Sequence, residues 1–259
     1  MVDWGASLSI LTKPGIPLFI LRGVAFTLVL SVIAVCISIV WGSVLAMARN
    51  YCTGPARVLG WLATAYIEVF RNTPLLLWIF ICLVACPCPD FFAHKMLGLT
   101  SVEIKILFRA SVALVLFTSS IIAEIVRGGL NAVAKGQFEA GHSQGFSTPQ
   151  IMLYIVLPQA YRAVVPTLLS QVITTIKDSS YLANVAAIEL MARTRVLLST
   201  SNVYNGTGTQ LVSDVFVLFG MAFVIYFIIN FTLSCIVRSL QKRKPKATAR
   251  VQATAAAGQ

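Results

Sequence analysis

This sequence predicts an all-helical integral membrane protein of about five transmembrane helices, on three observations. Only 11% of its 259 residues are charged and 58% are hydrophobic, with a mean hydropathy of +0.84. A soluble domain carries about 25% charged residues. Long uncharged runs recur, at residues 23–48 and 215–237, and each can cross a hydrocarbon core of about 30 Å as a helix. The most charge-mixed and helix-broken passage lies between spans: Glu139-Ala140-Gly141-His142-Ser143-Gln144-Gly145, then Ile155-Val156-Leu157-Pro158. A polar insert there has to sit at one membrane face, where water satisfies its backbone and charges.

Residues 1–22, with Trp4, Pro14 and Pro17, read as an interfacial segment with Trp4 at headgroup level. Asp3 and the absence of a basic n-region argue against a cleaved signal peptide. The first span is residues 23–48. Arg49 and Arg57 bracket a Thr53-Gly54-Pro55 turn, and a second span covers residues 58–86. Glu68 and Arg71 interrupt that span three residues apart, on one helix face where they are expected to pair. Thr73-Pro74 predicts a kink. Cys86-Pro87-Cys88-Pro89 opens a polar loop reaching Glu103.

The third span is weak by hydropathy, because only residues 110–123 are free of charge, short of the roughly twenty needed. Either Arg109 snorkels outward, or Glu124 lies inside the membrane paired with Arg127 at i+3. Within residues 128–162, Glu139 and Ala140 suit a helix start, Gly145 breaks it, and Pro149 and Pro158 limit any helix beyond it. Two short helices with a bend are predicted, projecting from the membrane like a knuckle. The fourth span is split by Lys177-Asp178 into residues 163–176 and 179–188. Residues 193–213 read as a polar loop, and residues 215–237 as the last span. Arg238, Lys242, Arg243, Lys244, Lys246 and Arg250 give a basic tail, residues 239–259, expected to be disordered.

Glu139, Ala140, Gly145, Ile155, Leu157 and Pro158, at this spacing, resemble the EAA loop by which ABC-importer permeases grip their ATPase. Gly141 stands where a second alanine is usual. Thr27-Leu28-X-Leu30-Ser31, Arg71-Asn72-Thr73-Pro74-Leu75-Leu76, Ala123-Glu124-X-X-Arg127-Gly128-Gly129, Gly136-Gln137, Leu157-Pro158-Gln159-Ala160 and Lys177-Asp178-Ser179-Ser180 resemble the polar-amino-acid uptake permeases. The likeness covers residues 23–242. Ala63-Thr64-Ala65-Tyr66-Ile67-Glu68 leading into Arg71, Gly145-Phe146-Ser147, and Leu157-Pro158-Gln159-Ala160-Tyr161-Arg162 look most like a glutamate/aspartate permease.

The resemblance implies a type I ABC-importer permease, with its transmembrane domain at residues 23–238 and a loop of Glu139, Ala140, Gly141, Gly145, Ile155, Leu157 and Pro158 that couples to the ATPase. It implies two cytoplasmic ABC ATPase subunits that bind ATP and magnesium, a periplasmic solute-binding protein, and a second permease, similar or identical. Membrane lipid surrounds it in the bacterial inner membrane, and no cofactor is expected in this chain.

The chain's own residues agree that energy comes from elsewhere. No Gly-Lys dipeptide occurs, so the phosphate-cradling loop of an ATPase is missing. His94 and His142 lie in separate loops, and no catalytic constellation is apparent. The net charge of +11 sits mainly at span ends and in the tail, a positive-inside distribution and not a nucleic-acid stripe. With the tail inside, eleven basic residues lie on that side against seven on the other. The N-terminus is therefore expected in the periplasm and the C-terminus in the cytoplasm.

Glu68, Arg71, Glu124, Lys177 and Asp178 are ionisable residues in or at the ends of spans, where such groups are costly and usually face a cavity or a partner. They either line the translocation pathway or pair structurally, as Glu68–Arg71 and Glu124–Arg127. Lys177 is the best cation for a carboxylate substrate, because broken spans are where transporters often hold substrate; Arg71 is the second. Cys86, Cys88, His94 and Met96 are soft ligands suited to Cu(I), the basis of a rival reading as a subunit of a metal or redox complex. The chain lacks the cytosolic domains of a metal pump, and no metal site is expected.

Overall fold

The structure, a computed structural model, describes residues 2–52, 54–94 and 98–242. Four helices are long and apolar enough to cross a membrane, and a broken pair makes a fifth span. The first helix, α1 (Trp4–Thr12), is capped by the Asp3 carboxylate, which accepts the Ala6 N–H at 3.0 Å. Gly15, at positive φ, turns the chain into α2 (Ile16–Tyr51). Residues 16–22, expected at the interface, form the first turns of this 36-residue helix. Pro17 stands in the first turn, where no N–H partner is needed, so it permits the earlier start.

The second span turns much further than a kink. α3 (Arg57–Arg71) and α4 (Leu75–Ala85) meet at 111° across Asn72, Thr73 and Pro74. Side chains serve the carbonyls that the break exposes: Asn72 Nδ2 donates to Glu68 O at 2.8 Å and Thr73 Oγ1 to Val69 O at 2.7 Å. Trp78 Nε1 donates to Thr73 Oγ1 at 2.6 Å. The rings of Tyr66, Phe70 and Trp78 follow one another at 4.5 and 4.2 Å and fill the elbow.

The hydropathically weak third span is a full helix, α5 (Ser101–Asn131), opened by a Thr100–Glu103 capping box. Arg109 stays within it because Nη1 reaches the Leu83 carbonyl at the end of α4, 3.1 Å away. α2 and α5 cross in contact at Gly42, where a Cβ would stand 2.7 Å from the Ser119 carbonyl oxygen. Their C-terminal ends are tied by an Asn50–Asn131 hydrogen bond of 2.8 Å, so the two helices run parallel. Gly129 of α5 lies equally close to the next span, a Cβ there meeting Val164 Cγ1 at 2.5 Å. Small residues at crossings are how helices pack without a hydrophobic drive between them.

α6 (Gly136–Ser143) and α7 (Thr148–Ile151) form the knuckle. It differs from two separate short helices: α7 passes through a wide, π-type turn at Met152–Val156 straight into α8 (Leu157–Asp178). A 3-10 stretch, Ser179–Val185, ends the fourth span. Residues 193–213, expected as a polar loop, are largely helical: α9 (Leu190–Ser199) and α10 (Ser201–Tyr204) precede α11 (Val212–Lys242). Arg193 within it is buried, with its guanidinium 4.3 Å over the Phe19 ring and Nη1 on the Phe19 carbonyl at 3.0 Å. Arg243, Lys244, Lys246 and Arg250 of the tail, with Lys95 and Met96, lie outside the described residues.

Candidate functional site

The knuckle is built around two glycines. Gly145 has φ +82° and closes α6 with a Schellman pair: its own N–H donates to His142 O at 2.9 Å, and the Phe146 N–H donates to Gly141 O at 3.1 Å. Nothing stands within 4 Å of where a Gly145 Cβ would be, so glycine is required by backbone conformation and not by space. Gly141 is the opposite case. A Cβ there would lie 2.7 and 2.8 Å from Cγ1 and Cδ1 of Ile151, the fully buried side chain of α7. The departure from alanine at Gly141 thus matches an isoleucine occupying the methyl's space.

Ser147 and Gln150 make a capping box that starts α7, with Pro149 in its first turn. Buried positions then step from Ile151 to Val156, five residues, and onward to Ala160, Val164 and Leu168 in fours. The five-residue step coincides with the π-type turn, which lets both sides of it face the core. Gln159 Nε2 donates to Gln137 Oε1 at 3.1 Å and braces α6 against α8.

The outer surface of the knuckle consists of Glu139, Ala140, His142 and Gln144 on α6, with Leu153 and Tyr154 exposed by 58% and 66%. Of the loop residues singled out by sequence, Gly141 is buried, Ile155 and Leu157 are half-buried, and Pro158 is exposed at the first turn of α8.

The ionisable residues divide into two groups. Glu124 of α5 gathers three arginines: Arg49 Nη1 at 2.6 Å, Arg127 Nη2 at 2.8 Å and Arg71 Nη1 at 3.6 Å. The i+3 pair Glu124–Arg127 is present. The expected Glu68–Arg71 pair is not: Glu68 binds Arg49 Nη2 at 3.1 Å, and Arg71 turns to Glu124. Spacing along α3 shows only local partners, whereas the close approach of α2 and α5 delivers Arg49 between both glutamates. Lys177 and Asp178 stand apart from this cluster at the far end of α8, Lys177 exposed and Asp178 half-buried.

Sequence reasoning missed a buried carboxylate. Glu189 caps α9, accepting the Met191 and Ala192 N–H groups at 2.9 and 2.7 Å, the Tyr226 hydroxyl at 2.9 Å and Thr27 Oγ1 at 3.4 Å. It thereby joins α2, α9 and α11. Its signal was a lone acid in an otherwise apolar stretch directly before a helix. Asp214 does similar work at the start of α11, accepting from Ser7 Oγ at 2.6 Å and Asn205 Nδ2 at 2.9 Å.

Cys86 and Cys88 are free thiols beyond α4. Among the described residues no three of His, Cys, Asp and Glu come together as a metal site, and Met96 lies outside those residues.

Residues 38–246 match the model of a family described as binding-protein-dependent transport system inner membrane component. The chain is 37% identical to a Bacillus subtilis protein named "Probable glutamine ABC transporter permease protein GlnM", over 86% of this chain and 92% of that one. It is 34% identical to the glutamate/aspartate import permease protein GltK of Escherichia coli O6:H1, over 93% and 97%. Among solved structures it is similar in fold to an amino acid ABC transporter crystallised with histidines, with a TM-score of 0.70 and 24% identity over 94% of this chain and all of that chain.

Proposed function

We propose, from the premise that this chain belongs to the family of binding-protein-dependent transport system inner membrane components, that it carries glutamate or aspartate inward. It is a polar-amino-acid ABC permease of type I fold, a multi-span membrane subunit and not an enzyme. ATP is hydrolysed in partner chains, and the family implies a solute-binding protein as well.

The knuckle carries the reading of mechanism. Its second helix, α7, runs without a break into α8, so an ATPase that seats the knuckle moves a span directly. ATP binding draws two ATPases together, tilts the spans and opens the cavity toward the loaded binding protein. The knuckle then lies in the cytoplasm with the C-terminus, and the N-terminus in the periplasm. ATP and magnesium stay with the partner, and a second permease completes the pathway.

A cationic excess supports the acidic substrate. Three arginines face two glutamates in the Glu124 cluster, and Lys177 is exposed where α8 gives way to the 3-10 stretch. A carboxylate leaving water needs such a cation, since an unpaired buried charge costs several kcal/mol. The higher identity to the Bacillus glutamine relative favours glutamine as the second reading.

Proteoliposomes holding the whole complex, offered glutamate, aspartate, glutamine, histidine and arginine in turn, test this. Glutamate and aspartate should be taken up first, and Lys177→Gln should slow their uptake about tenfold, the worth of one charge-assisted bond. Preferred uptake of glutamine, histidine or arginine overturns the substrate while leaving the permease standing.

A further inference from the structure

Of the four long spans, the one that contains α8 is the least apolar, and α8 leaves a polar stripe uncovered. Thr167, Ser170 and Lys177 are exposed and Thr174 is half-buried. At 100° per residue these four fall within one arc of about 80°. The neighbouring face is the packed one: Val164 and Leu168 join Ile122 and Val126 of α5 in a buried cluster. α11 has the opposite character. Phe223, Phe227 and Phe231 stand outward in succession, their ring centroids 6.2 and 5.5 Å apart, and hydrocarbon satisfies such a face. Three hydroxyls and an ammonium in line on a membrane-crossing helix are costly against lipid and face a watery cavity instead.

The chemistry of the stripe changes along its length. Ser170 Oγ donates to Pro166 O at 3.1 Å and Thr174 Oγ1 to Ser170 O at 3.4 Å. With their protons spent on the helix, both hydroxyls offer only acceptor lone pairs to whatever enters the cavity. Acceptors fit a cation. Lys177, three residues beyond Thr174 and about 4.5 Å further along the axis, has donors only and fits an anion.

We propose that Ser170 and Thr174 accept hydrogen bonds from the ammonium of the transported amino acid while Lys177 holds a carboxylate. This rests on the reading of Lys177 given above. The substrate lies along α8 with its ammonium toward the knuckle, so both of its charges are matched on leaving water. The hydroxyls read a group that every amino acid carries, so their role is the same for an acidic or a neutral substrate. A helix packed on the stripe would instead bury the Lys177 charge.

Equilibrium dialysis of the detergent-solubilised permease–ATPase complex against glutamate and glutarate, which differ only in the ammonium, tests the proposal. The unaltered complex should bind glutamate about a hundredfold more tightly, the worth of two charge-assisted bonds. Ser170→Ala and Thr174→Val should each cut that preference about tenfold, whereas Lys177→Gln should weaken both ligands and leave the preference in place. Glutamine against glutaramate reads the same contact, so a failure of the acidic-substrate reading stays distinguishable. Thiol labelling gives a second readout, with the six cysteines replaced by alanine. Ser170→Cys and Thr174→Cys should react with a charged methanethiosulfonate reagent and be shielded by glutamate or glutamine, while Val224→Cys on the outward face of α11 should not react. The proposal is overturned if the preference survives both hydroxyl variants, or if the two cysteines are as unreactive as Val224→Cys. A disulfide from Thr174→Cys to the second permease overturns it too, by showing a packed helix there.

Discussion

At the scale of single residues, the knuckle turns on two glycines whose reasons differ, and their substitutions should fail differently. Gly141→Ala drives a methyl into Ile151. It should weaken ATPase association in pull-down, and adding Ile151→Ala, which removes both obstructing atoms, Cγ1 and Cδ1, should restore part of it. Loss without rescue would mean that Gly141 contacts the ATPase itself. Gly145→Asp meets no neighbour but has to hold φ +82°, a conformation costing roughly 1–2 kcal/mol for a residue with a Cβ. The permease should insert normally and lose coupling, read as ATPase activity that no longer responds to the loaded binding protein; normal transport refutes the role. The break at Gly145 and the helix start beside Pro158 were legible because glycine and proline restrict the backbone locally. The Glu124 cluster was half legible. Arg127 shares its helix, whereas Arg49 and Arg71 arrive from two other helices, and no spacing rule reaches across helices.

At the scale of elements, the broken ones were the hardest to foresee. Pro74 announced a break, but its size came from Asn72, Thr73 and the Tyr66–Phe70–Trp78 rings, which act together only once α3 has folded back. α9 is hidden because residues 193–213 are rich in Asn, Gly and Thr, a composition typical of loops. Its N-terminus is set by Glu189, whose carboxylate binds two backbone amides, one phenol and one alcohol. Glu189→Ala deletes the cap and strands Tyr226 and Thr27 together. It should cost about 2–4 kcal/mol and lower the Tm of the detergent-solubilised complex. Glu189→Gln keeps one acceptor oxygen and should cost clearly less. Equal losses in the two variants would show that the charge matters and the cap does not.

At the scale of the whole molecule, composition and the long uncharged runs made the helical membrane class plain, since a soluble domain carries about 25% charged residues against 11% here. They placed the ends of spans less well, because Pro17 and Arg109 read as boundaries until their partners are seen. The π-type turn at Met152–Val156 was invisible to helical periodicity, being a single residue of excess. From Thr148 to Val185 the helix runs on without a bend, so α7 and α8 form one piece, and α6 is held to that piece by Gln137–Gln159 and by Ile151 against Gly141. Deleting Tyr154, which is exposed and packs little, should leave the span in place. The step from Ile151 to Val156 then becomes an ordinary four residues, so the knuckle should stay in phase with α8. A crosslink from Ala140→Cys to the ATPase should persist; its loss would show that the knuckle depends on the wide turn itself. If an ATPase seats the knuckle as proposed, its stroke reaches α8 with no hinge between α7 and α8 to absorb it.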